Sequence, residues 1–212
     1  MQLSLRVVRP PAIEPVSPVD AAMHCRLAAS EPMLEPYVAA ARGWAEAWLG
    51  RALITQTLCA TVGRSLPPGL VAGVVPYAGG YFSTGYPFLG ARGLWNSPLE
   101  LPRSPVQAIT EVAITRQDGE RSVLAADGYS ARLASEPGTL QVQPNAARPG
   151  DLVSVTFVAG YGETKEDVPM PIRQGIMLLT AFLYENRGDA GGDPPKAAEM
   201  LMWPFRLVTF GG

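Results

Sequence analysis

The sequence predicts an α+β fold: a small helical bundle with an inserted, mostly antiparallel β region, which itself carries a long loop rich in glycine, proline and aromatics. Three observations predict it. Apolar residues recur at helical spacing toward both ends of the chain, at Leu34, Val38, Ala41, Ala45 and Trp48 and again at Ile172, Ile176, Leu179 and Leu183. Between these stripes the runs are rich in β-branched residues, as strands are. The stretch from Gly63 to Pro98 follows neither period.

In chain order, residues 1–16 carry several prolines and read as an extended arm. Ser17 is placed to cap a short helix from Pro18 to Leu27, with Pro18 in the first turn and Asp20 near the positive helix end. The helix bearing Leu34 to Trp48 comes next, and Gly50 is positioned to end it. From Arg51 the period changes, and "ALITQTLCATV" reads as a strand.

Further strands are expected at "VQAITEVAITR", "YSARLAS", "GTLQVQP" and "LVSVTFVAG". "QDGE" after the first of these is a hairpin signal, because Asp-Gly tolerates the positive φ of a tight turn. Pro169 and Pro171 introduce the helix of Ile172 to Leu183, which is expected to pack on the Leu34–Trp48 helix. "NRGDAGGDPPKAAEM" reads as a flexible break, followed by a short helical pattern and the tail "RLVTFGG". The resulting division is an arm with two helices over 1–50, a β region over 51–162 with its loop at 63–98, a long helix over 163–190 and a C-terminal segment over 191–212.

The Gly63–Pro98 stretch is far longer than an ordinary connection, and segments of that kind are usually functional or disordered. Its aromatics Tyr77, Tyr81, Phe82, Tyr86, Phe88 and Trp95 are the residue types that anchor interfaces, so they are candidates for contact with a neighbouring subunit or another component. Packing onto the chain's own surface is the alternative.

Composition narrows the function classes. Hydrophobic residues make up 47% of the chain and charged residues 17%, a balance that suits a packed domain with apolar surface to spare for partners. The net charge is −2 and there is no run of Lys or Arg, which disfavours gripping a nucleic acid. Cys25 and Cys59 are too far apart in sequence for a small disulfide framework or a zinc motif, and both are expected as reduced core residues. The first residues lack signal-peptide features and no apolar run has membrane-spanning length, so a cytoplasmic site of synthesis and no membrane partner are expected.

"FVAGYG" at 157–162, ahead of a helix, raises the possibility of a phosphate-binding turn. No Lys-Ser/Thr pair follows the glycines, Glu163, Glu166 and Asp167 would repel phosphate, and Pro169 and Pro171 delay the helix. The glycines are read as serving the turn. His24 is the only histidine, and helix neighbours such as His24 and Cys25 point in different directions, so a nucleophile and base are not expected there. Glu31, Glu35 and Glu46 read as a solvated helix face. No catalytic residue, metal site or cofactor is expected.

Taken in order, "PPAIEPVSPVDAAMHCRL", "YVAAARGWAEAWLGRALITQT", "LPRSPVQAITEV", "VTFVAGYG" and "VPMPIRQGIMLLTAFLYENR" closely resemble the head-tail connector, or adaptor, family of tailed bacteriophages and gene transfer agents. The resemblance covers most of the chain except 63–98 and the tail. It implies a non-enzymatic virion protein at the head-tail junction, assembled in the bacterial cytoplasm. There it would form a dodecameric ring of like copies between the portal protein and a tail-proximal stopper or terminator, with DNA passing through the channel without sequence-specific binding. It also implies that a C-terminal segment contacts the portal, which by position gives Met200, Met202, Trp203, Phe205 and Arg206; a last helix docked on its own bundle is the alternative. The long 63–98 stretch departs from the family pattern. Rival readings are another tail or capsid accessory protein, or a small carbohydrate-binding or hydrolase module with the aromatics lining a pocket.

Overall fold

Ser17 accepts a hydrogen bond from the Asp20 amide at 3.0 Å and so starts the first helix where its sequence position suggests. The structure, a computed structural model, describes residues 2–27, 34–63, 74–77, 80–83, 97–143, 146–148, 150–186 and 193–207. Four α-helices are described: α1 (Pro18–His24), α2 (Leu34–Leu49), α3 (Met170–Glu185) and α4 (Lys196–Met202). The first stops at His24 rather than Leu27, because Arg26 takes a positive φ of 56°.

The two long stripes bury as their spacing requires. Leu34, Val38, Ala41 and Ala45 of α2 and Ile172, Ile176 and Leu179 of α3 are buried, whereas Trp48 and Leu183 are half-buried at the margin. α2 packs on α3, α3 packs on α4, and α1 lies against both long helices. Gly50 ends α2 at φ +69°, a conformation that glycine adopts at no steric cost. Gly175 matters instead for close approach, since a Cβ there would sit 2.8 Å from Met202 Cγ and hold α3 and α4 apart.

Ten strands are described: β1 (Gln2–Arg9), β2 (Gln56–Gly63), β3 (Val74–Tyr77), β4 (Gly80–Ser83), β5 (Leu99–Glu100), β6 (Val106–Thr115), β7 (Arg121–Val123), β8 (Tyr129–Arg132), β9 (Thr139–Val142) and β10 (Leu152–Ala159). All pairings between them are antiparallel. They form a five-stranded sheet in the order β1-β2-β10-β6-β7, a three-stranded sheet β5-β9-β8 and a two-stranded sheet β3-β4. Val153, Val155 and Phe157 of β10 stand opposite Val62, Ala60 and Leu58 of β2, and this face shares one core with Leu99, Leu140 and Val142 of the smaller sheet.

Three expectations about strands need correction. The N-terminal arm is not merely extended: Gln2–Arg9 pairs with β2 along its length, with Leu3 opposite Val62 and Leu5 opposite Ala60. The "QDGE" turn does form a hairpin, with Gly119 at φ +90°, but β6 returns through β7 and not through Tyr129–Arg132, which belongs to the other sheet. The Gly63–Pro98 stretch contains a hairpin, with Val75 paired to Phe82 and Tyr77 to Gly80.

The helical layer and the β region have separate cores joined by the link after α2. Ala52 belongs to the β core, while Leu53 and Ile54 belong to the helical core. A polar network sits at this junction. Glu46, 7% exposed, accepts hydrogen bonds from the Leu53 amide (3.0 Å) and from Gln56 Nε2 (2.7 Å), and pairs with Arg42, which also reaches Glu14 at 2.7 Å. Glu46 is therefore not on a solvated face; its carboxylate satisfies the buried Leu53 amide in the link beyond the end of α2. Glu35 is exposed, as expected, and Glu31 lies outside the described residues.

Candidate contact surfaces

The C-terminal segment is built outward from the contact between α3 and α4. Ala198 and Met202 are fully buried in the helical core, which turns the opposite side of the segment outward: Met200 is 76% exposed and Trp203 60% exposed. Trp203 rests 6.0 Å from the ring of Trp48, and Trp48 stacks on Trp44 at 5.9 Å with an interplanar angle of 14°. Arg206 lies 4.9 Å above the Trp48 ring and 5.6 Å from that of Trp203. The result is an exposed platform of indoles with one guanidinium laid across it, the combination most enriched at energetically dominant interface positions.

This platform is clamped to its own subunit. Arg51, buried at the start of the link, donates through Nε to the Phe205 carbonyl and through Nη2 to Glu136 Oε2 at 2.7 Å, and its guanidinium lies 5.8 Å from the Tyr161 ring. The Leu207 amide donates to the Leu49 carbonyl at 2.9 Å. Burial by itself would lower the Arg51 pKa, but the Glu136 carboxylate and Tyr161 outweigh it and hold the guanidinium above its ordinary value. The hydrogen bond from Arg51 holds the Glu136 carboxyl below its ordinary value, against the effect of burial.

The five portal-contact candidates thus separate by position. Met200, Trp203 and Arg206 form one exposed face, Phe205 is half-buried with its carbonyl engaged, and Met202 is enclosed in the core. Sequence reading did not single out Trp44, Trp48 or Arg51 as contact residues. The i, i+4 pair of tryptophans on α2 was a visible signal, whereas nothing local ties Arg51 to Glu136 and Phe205.

A second surface is the outer side of β1. Its register places Leu3, Leu5 and Val7 on the core face of the large sheet, yet they are 46%, 36% and 52% exposed. Of the neighbour-contact candidates, Tyr77 lies in β3 and Tyr81 and Phe82 lie in β4, while Tyr86, Phe88 and Trp95 lie outside the described residues.

At the "FVAGYG" turn, Gly160 has φ +140°, and a Cβ there would lie 2.6 Å from the backbone of Ile54 and Thr55. The turn seats against the interlayer link, with Thr55 N donating to Gly162 O at 2.8 Å. Among the described residues no group of three or more His, Cys, Asp or Glu is placed to hold a metal ion, and no helix is long and apolar enough to cross a membrane. His24 is exposed. Cys25 and Cys59 are free and half-buried, so they are margin residues rather than the core residues expected; burial pushes the Cys25 thiol up.

These elements define a class: an α+β chain in which helices before and after the main run of strands pack into one layer, and the antiparallel β region that lies between them in sequence also takes in Gln2–Arg9. The particular likenesses are to chains of gene transfer agent (GTA) particles. In the virion of a native particle, a chain with 22% identity superposes with a TM-score of 0.68, over 98% of this chain and 97% of that one. A chain from the neck of an empty particle, computed with C6 symmetry, gives 23% identity and 0.69 over 99% and 98%. One from the neck of a native particle, computed with C12 symmetry, gives 21% and 0.66 over 100% and 98%. At these identities the likeness is one of fold. No protein-family model matches the chain, and no curated protein does.

Proposed function

We propose that this chain is a non-enzymatic head-tail connector subunit of a phage or gene transfer agent particle, located at the neck of the virion. The observation that carries the reading is the end-to-end likeness of fold to neck chains, including one from a C12-symmetric neck. The sequence motifs that resemble the adaptor family point the same way and rest on the residues alone. In this reading copies assemble sideways into a dodecameric ring, through heterologous contacts whose rotation closes. One side of the ring meets the portal protein and the other a tail-proximal stopper or terminator, leaving a channel for DNA. A chain with net charge −2 suits a channel wall that lets DNA pass without gripping it.

The portal contact is assigned to the exposed platform of Met200, Trp203 and Arg206, supported from beneath by Trp48 and Trp44. Tyr77, Tyr81 and Phe82, with Tyr86, Phe88 and Trp95, are assigned to contacts with a neighbouring subunit or tail component. The test is native mass spectrometry of the purified chain, alone and mixed with the portal ring encoded beside it. A discrete complex with one copy per portal subunit is expected. A folded monomer that forms no complex with the portal overturns the reading.

A further inference from the structure

Among the described residues, two sets of backbone groups are left without strand partners, and they complement each other. The first is the outer edge of β1. Seven of its eight residues pair with β2, the register shifting between Val7 and Arg9, and among the described residues its other edge has no partner; Leu3, Leu5 and Val7 stay exposed on the face that elsewhere in the same sheet is core. Long apolar edge strands attract a further strand, and natural proteins usually blunt them. Here Arg6 and Arg9 are the only charges on the strand, and β1 contains no proline.

The second is the β3–β4 hairpin. Among the described residues neither strand pairs with a third, and an isolated two-stranded hairpin is marginally stable at best. Pro76 lacks an amide proton, which marks β3 as the poorer of the two edges; β4 has no proline and keeps every donor. The excursion that carries this hairpin leaves the sheet at Gly63, the residue of β2 paired with Gln2 at the start of β1. Residues 64–73 can reach at most about 36 Å when extended.

The two edges therefore belong to one chain, and among the described residues they do not pair with each other. We propose that β4 of one copy adds to the free edge of β1 in the adjacent copy, so that the hairpin extends the neighbour's five-stranded sheet and helps to cover Leu3, Leu5 and Val7. The occupant is a second copy of this chain. The contact is heterologous, joining a different element from each copy, and so can repeat around a ring. This inference rests on the ring reading and names the strands that would make the sideways contact.

The test is cysteine cross-linking between two differently labelled full-length chains, both carrying Cys25→Ser and Cys59→Ser. One chain carries Phe82→Cys; the other carries a single cysteine at each of positions 3 to 8 in turn. Melting temperatures first establish that each variant is folded, as expected for substitutions on an exposed strand. The pairs are mixed, with and without the portal ring, oxidised with copper phenanthroline, and weighed under native and denaturing conditions. The expected result is a covalent mixed dimer at alternate positions of β1, since successive strand residues face opposite ways.

If native masses report an assembly but no mixed dimer forms at any position, the inference is overturned and the connector reading survives. If neither assembly nor dimer is seen, both fall. A chain carrying both cysteines that cross-links only to itself would place the hairpin on its own β1 and would likewise overturn the second copy as occupant.

Discussion

At the scale of the residue, Trp203 and Arg51 show how a buried group helps to hold an exposed one in place. Trp203 presents most of its ring to solvent but is held against Trp48 and under Arg206, so a partner would meet an anchor already fixed in place. Trp203→Ala is therefore expected to weaken portal binding by about 2 kcal/mol or more, the scale of a central aromatic anchor. The melting temperature should hardly move; unchanged portal affinity would refute the assignment. Arg51 keeps that platform in place through the Phe205 carbonyl and Glu136. Because the Glu136 carboxyl is held below its ordinary value, its contribution is complete above the usual carboxylate range and is lost as the pH falls through the depressed value. Its side chain is 42% exposed, so solvent screening keeps the effect small. The difference in melting temperature between the wild type and Glu136→Gln should be positive at neutral pH and close under acid conditions. A difference that stays constant with pH would show that the ion pair is not its source. The tryptophans were visible in the sequence as residue types and spacing. The clamp was not, because its partners are far apart in the chain and meet only in the fold.

At the scale of the element, what was legible follows from how much of each segment is buried on one face. α2, α3, β2 and β10 have alternating or helical burial that matches their apolar pattern, and each was readable from its residues. β1 was not, because its residues 3–9 are exposed on both faces and no one-sided pattern marks it as a strand. β7 is three residues long, too short to show a period, and the hairpin of β3 and β4 sits among glycines and prolines that read as loop. The α3 stripe allows a sharp test. Ile176 is fully buried in the core that α3 shares with α2 and α4, so Ile176→Asp would place an unpaired carboxylate there at a cost of several kcal/mol. The variant is expected to lose its cooperative melting transition, and an unaltered melting temperature would mean that α3 does not pack on α2 as described. Gly175→Leu tests the other side of the same helix. The added side chain must displace Met202, so α4 should detach and portal binding fall even though no platform residue has changed.

At the scale of the whole molecule, the question is whether the helical layer and the β region act as one body. Their cores are distinct, but consecutive residues of a single link serve both: Ala52 faces the sheets, Leu53 and Ile54 face the helices, and Glu46 holds the link's amide and Gln56 from beneath. The Gly160 turn seats on the same link, and Arg51 fastens the C-terminal segment to the Glu136 turn across the junction. With this many ties in so short a stretch, opening one layer would expose the core of the other, and a single cooperative transition is expected. In a Trp95→Phe chain, fluorescence from Trp44, Trp48 and Trp203 reports the helical layer alone, while amide exchange in β10 reports the sheet. Both should follow the same denaturant dependence. Leu53→Ala, which removes a fully buried side chain at the junction, should lower both together by about 2–5 kcal/mol. Separation of the two curves, or a loss confined to the fluorescence, would mean that the layers unfold independently. Force or strain received at the C-terminal platform would then not reach the β region, and a ring built from such subunits would transmit nothing from its portal side to its neighbours through this link.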